Sequence, residues 1–282
     1  MLKWRAISFP LLLGLLGVIF FSPPMVGGGV FFVCALAMIG LATYECARMM
    51  DCAGIENYPV LSAVLSAVML VALLVMTVFG WDLARAVIPL SLLPWVLILF
   101  GREDAVKRIF TTVGAVLITV IPFGLVASLY FPEPRFLLFV ILVTKAMDTG
   151  GYIFGMLSSK LLPGGNHKLC PSISPKKSWE GVAGGVVLSM LTAWCFFRFF
   201  PDWHFEVWIG ALRLWKFLAF GVLLALASIA GDLTESALKR KCGVKDSANW
   251  IPGMGGALDV LDSFIYVAPL CMVFAALLKR IG

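Results

Sequence analysis

Apolar runs of membrane length, separated by charge, glycine or proline, follow one another through the chain near residues 7–22, 30–47, 60–80, 84–100, 109–130, 136–155, 181–200, 215–238 and 258–278. A hydrocarbon layer about 30 Å thick takes about 20 helical residues. The pattern therefore predicts an all-α fold, a polytopic transmembrane bundle of about nine helices with a slightly short first one. No fixed-period repeat, low-complexity tract or long linker interrupts it. The chain reads as one integral membrane domain over 1–282, with helices of structural character in 1–130 and the chemistry in 136–278. Lys3 and Arg5 ahead of the first run give it the look of a secretory leader. No small-x-small cleavage pattern follows, and an uncleaved first helix is expected.

Composition narrows the class further. Of 282 residues, 61% are hydrophobic and only 13% charged, and the mean hydropathy is +0.99. An ordinary soluble domain cannot hide that much apolar surface, and a disordered chain would not carry it. The net charge of +6 sits in short connections between apolar runs, so it acts on topology and on anionic lipid and presents no nucleic-acid-binding face. Seven scattered cysteines without a C-x-x-C read as small apolar residues in a membrane core.

Alternate connections differ in charge. With the N-terminus in the cytoplasm, the inner side holds fourteen lysines and arginines, among them Arg48, Lys176, Lys177, Lys239, Arg240 and Lys245, and the outer side holds seven. That bias predicts the N-terminus inside and the C-terminus outside.

Ionisable residues at membrane depth are expensive and mark function by default, with interhelical pairing as the rival explanation. The first five helices carry almost none apart from Glu45, whereas the later ones carry Lys145 and Asp148, Asp232 and Glu235, and Asp259 and Asp262. In the expected topology these carboxylates, and the basic connections 156–180 and 239–257, all face the cytoplasmic leaflet. A polar site at headgroup level is expected there.

Asp259 and Asp262 stand i, i+3, a spacing that puts two carboxylates on one helical face about 5–6 Å apart. Such a pair needs a cation or proton to relieve its repulsion, and oxygen ligands together with phosphate suit Mg²⁺. An acidic first turn answering the helix dipole is the alternative. Asp232, Glu235, Ser236 and Lys239 at i, i+3, i+4 and i+7 line one face, able to serve metal and phosphate together or to form an intrahelical ladder. In S-P-K-K-S-W-E-G, Ser174 to Gly181, Ser174 is suited to cap a helix with Pro175 at its first position, and Lys176 and Lys177 lie between it and an interfacial Trp179. Among the glycine-rich pieces only G-M-G-G at 253–256 adjoins the carboxylates, where backbone could approach phosphate. His167 and His204 lack metal-ligand spacing and read as loop residues.

These residues carry a resemblance. The stretch from Ser236 to Asp262, S-A-L-K-R-K-C-G-V-K-D-S-A-N-W-I-P-G-M-G-G-A-L-D-V-L-D, resembles the signature of the phosphatidate cytidylyltransferases, or CDP-diacylglycerol synthases. Ser236, Lys239, Arg240, Lys245, Asp246, Pro252, Gly255, Gly256, Asp259 and Asp262 match it; D-T-x-x-Y-x-x-G from Asp148, S-P-K-K-S-W-E-G and G-D-L-x-E-S from Gly231 resemble further segments. The likeness covers about 145–265. Met254 and Val260 depart from it, standing where the family usually has histidine and arginine.

The resemblance implies transfer of a cytidylyl group from CTP to phosphatidic acid in a membrane of lipid partners, on the cytoplasmic face of a bacterial inner membrane, with a homodimer compatible. It implies Mg²⁺, with room for a second ion, at Asp232, Asp246, Asp259 and Asp262, with Asp148 contributing. Lys176, Lys177, Lys239, Arg240 and Lys245 would meet phosphates, and Ser174, Ser236, Gly255 and Gly256 would line the substrates. The alternatives are a related CTP-using lipid cytidylyltransferase, a lipid kinase, or a transporter of an anionic solute or lipid. A transporter should show repeated halves and midplane polarity, and this chain has its polarity in one half.

Overall fold

The computed structural model describes residues 2–79, 103–203, 205, 213–251 and 255–281. In chain order the elements are α1 (Leu2–Phe21), α2 (Pro24–Cys52), α3 (Pro59–Phe79), α4 (Glu103–Ser128), α5 (Pro134–Leu161), β1 (Lys168–Cys170), β2 (Ser174–Ser178), α6 (Trp179–Phe199), α7 (Leu214–Lys241), α8 (Ala257–Leu261), a 3₁₀ turn (Asp262–Phe264) and α9 (Val267–Ile281). Seven of the described helical segments are long and apolar enough to cross a membrane, and α1 contributes a shorter apolar stretch, Pro10–Phe21. The expected all-α membrane architecture is met. The expected helix over 84–100, Pro252, Met254 and His204 lie outside the described residues.

The helices begin where the sequence supplies start signals. Pro24 and Pro134 sit at first helical positions, where the missing N–H costs nothing, and the Glu133 carboxylate accepts from the Arg135 amide at 3.3 Å.

The chain divides into two compact units, residues 1–132 with 238–261 and residues 133–237 with 262–282. In the first, α2, α3 and α4 pack around Ala42, Cys46, Leu70, Leu74, Ala115 and Val116, all buried. Polar side chains in this apolar core find partners. Thr43 and Thr119 share a hydroxyl hydrogen bond of 2.8 Å, and the Tyr130 hydroxyl donates to the Ile19 carbonyl at 3.0 Å while its ring stacks on Phe31 at 4.1 Å. Gly27 allows this approach, since a Cβ there would stand 2.5 Å from the Ile19 carbonyl oxygen.

In the second unit α5 and α6 meet along small residues, as membrane helices do when backbones must come close. A Cβ on Gly150 would lie 2.8 Å from the Gly184 carbonyl oxygen, and one on Gly181 would lie 2.7 Å from that of Gly151. Above this seam Phe136, Phe139, Phe196, Phe205, Phe217 and Phe220 form one aromatic cluster.

Two local expectations change. Ser174 and Pro175 lie in β2 of a small antiparallel hairpin and cap no helix; α6 starts at Trp179, and Ser178 is its cap, accepting from the Gly181 amide at 3.2 Å. The reason is local, because the Trp179 amide donates to the His167 carbonyl at 2.9 Å and holds the preceding residues extended. The run 258–278 is not one helix: it breaks into α8, the 3₁₀ turn and α9. At the break the Ser263 hydroxyl donates to Asp262 at 3.0 Å and the Ser263 amide donates to the same carboxylate, local bonds that compete with helix geometry.

Candidate functional site

In the second unit α5, the hairpin, α7 and the 3₁₀ turn bring acidic, basic and hydroxyl groups together. Lys145 pairs with Asp148 at 3.0 Å, one helical turn along α5. The Ser263 hydroxyl lies 3.1 Å from Asp148 Oδ2, and the Ser228 hydroxyl lies 3.3 Å from Asp148 Oδ1. Gly231 permits this: a Cβ there would stand 2.4 Å from the Asp262 carbonyl oxygen. Asp262 lies within electrostatic reach of Asp232, Asp148 and Lys145.

Asp232 is held from two sides. Lys177 on β2 meets Oδ2 at 2.7 Å, and the Ser236 hydroxyl, one turn on, meets Oδ1 at 3.4 Å. A cavity of about 230 Å³ opens here, lined by Asp148, Tyr152, Lys176, Lys177, Ser178 and Asp232. Lys176 is exposed, and among the described residues it makes no ion pair. The hairpin is fixed at its base by Glu180, which accepts from the His167 amide at 3.1 Å and meets His167 Nδ1 at 2.6 Å. The role of Glu180 is to anchor the hairpin that carries the two lysines.

The first unit builds a different arrangement. Lys239 and Asp259 form a well-shielded ion pair at 2.7 Å, with side chains 13% and 10% exposed. Asp259 Oδ2 also accepts from the Gly256 amide at 2.8 Å and the Ser247 amide at 3.2 Å. Glu45 of α2, only 1% exposed, accepts the Ala257 amide on Oε1 at 2.8 Å and the Leu258 amide on Oε2 at 2.9 Å. The Ser247 hydroxyl lies between the two carboxylates, 2.8 Å from Glu45 Oε2 and 3.0 Å from Asp259 Oδ2. Gly255 takes φ +94°, which favours glycine, and a Cβ on Gly256 would come within 2.3 Å of Glu45. Glycine is therefore required by both conformation and space. The only hint of Glu45 in the sequence is its position as a lone ionisable residue in an early apolar run.

The remaining expected residues divide the same way. Ser174, Ser236, Asp148, Asp232, Asp262 and the lysines 176 and 177 are in the second unit; Lys239, Arg240, Lys245, Asp246, Gly255, Gly256 and Asp259 are in the first. Arg240, Lys245 and Asp246 are exposed, and Glu235 is buried.

Among the described residues no three His, Cys, Asp or Glu side chains gather closely enough to hold a metal ion unaided. Mg²⁺ does not require that: it commonly takes one or two carboxylates and completes its shell with water and substrate phosphate. Asp232 and Asp262, with the Ser236 and Ser263 hydroxyls nearby, form an oxygen-only donor set of that type.

Fold and site together define an integral membrane protein whose polar groups offer oxygen ligands for a cation and ammonium groups for phosphate. Residues 4–278 match the model of the Cytidylyltransferase family, and the chain belongs to that family. Its relatives include the phosphatidate cytidylyltransferases of Staphylococcus epidermidis (strain RP62A), 40% identical over 150 residues, and Staphylococcus aureus (strain COL), 38% identical over 150 residues, each match covering 51% of this chain and 52% of the relative. That of Haemophilus influenzae is 38% identical over 138 residues, 49% of this chain and 44% of the relative. The chain spans about half the length of the curated relatives it matches.

Proposed function

We propose that the protein transfers a cytidylyl group from CTP to phosphatidic acid, releasing pyrophosphate and forming CDP-diacylglycerol at the cytoplasmic face of a bacterial inner membrane. An oxygen of the lipid phosphate forms a bond to the α-phosphorus of CTP, and the bond from that phosphorus to the bridging oxygen of the β-phosphate breaks. The observation that carries the reading is the Lys177–Asp232 pair on the wall of a cavity shared with Lys176, Asp148 and Tyr152. Both substrates are anions, so their approach requires positive charge, and the reacting oxygens require charge stabilisation.

Asp232 and Asp262, with Asp148 as a supporting ligand, are the residues we assign to Mg²⁺. Bound there, the ion would offset phosphate charge and act as a Lewis acid toward the α-phosphoryl group. Lys176 and Lys177 bind substrate phosphates as point charges, and Ser174 and Ser236 hydrogen-bond them or their ligands. The lipid phosphate is ionised at neutral pH, so no general base is invoked.

The expected metal role of Asp246 and Asp259 is recast for Asp259. Two backbone amides and a hydroxyl hold Asp259 besides Lys239, whereas Asp232 meets one ammonium and one hydroxyl, and we assign the Lys239–Asp259 pair to holding Gly255 and Gly256 in the conformation that presents their backbone to phosphate. Asp246, Arg240 and Lys245 are exposed in the same connection; Asp246 remains available to a cation, and the two basic residues to phosphate. The test is incubation of the detergent-purified protein with labelled CTP, phosphatidic acid and Mg²⁺. CDP-lipid is the expected product, and its absence with every lipid phosphate tried would end the enzyme reading.

A further inference from the structure

Two cavities in the first unit share a wall. One, of about 460 Å³, is apolar and runs between α2 and α3, lined by Gly40, Leu41, Val60, Ala63, Val64 and Ala67. The positions 60, 63, 64 and 67 follow one helical face of α3, and the small residues at 40, 63 and 67 leave the space open. A Cβ placed on Gly40 would meet nothing within 4 Å. The other cavity, of about 470 Å³, is polar: Arg48, Asp246, Ser247 and Asn249 line it. Tyr44 and Trp250 border both.

The two cavities together have the shape and polarity of one amphipathic ligand. The apolar part lies along two candidate membrane spans, with Leu41, Val60 and Val64 exposed beside it, so the filling available there is an acyl chain. The polar part lies at the end of α2 where Arg48 marks the headgroup level, and Trp250 and Tyr44 are placed as interfacial aromatics are. Glu45 also lines it, but backbone amides and the Ser247 hydroxyl satisfy its carboxylate. Arg48 and Asp246 are exposed, and among the described residues neither forms an ion pair.

Among the described residues the cavity thus sets one cation, Arg48, and one anion, Asp246, outside any ion pair, an arrangement that calls for a zwitterion. We propose that this site binds a phospholipid whose head carries a phosphodiester and a primary ammonium, the phosphoethanolamine class, with one acyl chain in the α2–α3 groove. The Arg48 guanidinium matches the phosphodiester oxygens, and the ammonium N–H groups donate to Asp246 and the Asn249 side-chain carbonyl. A lone phosphate monoester would leave Asp246 as a repelling neighbour. A quaternary choline nitrogen has no N–H to donate. The assignment does not depend on the proposed reaction, and its test uses no nucleotide.

The full-length protein is placed in phosphatidylcholine nanodiscs with a trace of phosphatidylethanolamine bearing a diazirine in one acyl chain, irradiated, and the adducts located by mass spectrometry. Adducts should concentrate on residues 40–67, and unlabelled phosphatidylethanolamine should suppress them at least about tenfold more effectively than phosphatidylglycerol or phosphatidic acid. Arg48→Gln and Asp246→Asn should each abolish that preference. Gly40→Leu, whose side chain enters the open groove, should lower the yield severalfold. Equal suppression by the three lipids, adducts spread evenly over the helices, or a preference that survives both charge variants overturns the proposal. Arg48 and Asp246 are exposed, so their variants decide the matter even where Gly40→Leu disturbs folding.

Discussion

Asp259 and Asp262 are three residues apart in sequence and answer to different neighbours. The spacing suggested one acidic face, but the helix ends at Leu261, and each aspartate is satisfied within its own unit. Asparagine keeps size and one carbonyl oxygen while losing charge, so the same substitution separates the roles. Asp262→Asn should leave the melting temperature nearly unchanged, because it removes a carboxylate that Asp232 and Asp148 repel, and should lower turnover by orders of magnitude with partial rescue by high Mg²⁺. Asp259→Asn should weaken the well-shielded pair with Lys239 and the amide contacts of the same carboxylate, lowering the melting temperature, and Mg²⁺ should not restore it. Melting curves and Mg²⁺ titrations of both variants check this, and a Mg²⁺-rescuable, fully stable Asp259→Asn protein would return that residue to the metal. Lys177→Arg keeps the charge but replaces a compact ammonium with a planar fork; turnover should fall at least about tenfold with insertion normal, and full activity would leave Lys177 as a topology signal. The cysteines do not all lie in an apolar core: Cys46, Cys242 and Cys271 are buried, whereas Cys170 lies in the hairpin. Burial, with Cys52 nearby, pushes the Cys242 thiol above its ordinary range, so it stays protonated to higher pH, while Cys52 is exposed. Alkylation at pH 8 should label Cys52 first, and faster reaction at Cys242 would contradict its burial.

The glycines of α5 and α6 act at the scale of elements. At Gly150, Gly181, Gly184 and Gly185 the packing leaves no volume for a methyl group, so Gly150→Ala should force the helices apart at about 1–3 kcal/mol, despite the roughly 1 kcal/mol that alanine gains in helix propensity. Gly29→Ala in α2, where a Cβ meets nothing within 4 Å, should not destabilise. Thermal unfolding in detergent compares the two, and equal stability would mean that the seam relaxes freely. These elements also show what was readable beforehand. Long helices were legible because a run of apolar residues long enough to cross a bilayer has few other structures open to it. The hairpin at 168–178 was not, since its strands are short, charged and lack alternation, and they are held by His167 and Glu180 across thirteen residues. The matching motifs marked the residues of the candidate site but not their partners. Lys177 meets Asp232 across fifty-five positions and Glu45 meets Leu258 across more than two hundred, pairings that only the packed chain specifies.

At the scale of the whole molecule the open question is parity, because an odd number of crossings puts the two ends on opposite sides. Seven described helical segments are long enough to cross and α1 adds a shorter one, so the total turns on the apolar run over 84–100. The charges favour a crossing there. With it, lysines and arginines divide fourteen inside to seven outside; without it, and with the N-terminus still inside, they divide nine to twelve, and the bias that orients membrane proteins is lost. Dropping that one crossing would also transfer Lys176 and Lys177 to the side opposite the N-terminus, away from the nucleotide of the proposed reaction. Reporter fusions after Lys176 and after Lys241 should therefore report cytoplasm, and a fusion at the C-terminus should report the outside. A cytoplasmic signal at the C-terminus combined with external signals at both internal positions would remove the run over 84–100 from the count, and with it the expected cytoplasmic placement of Lys176 and Lys177 on which the proposed use of a cytosolic nucleotide depends.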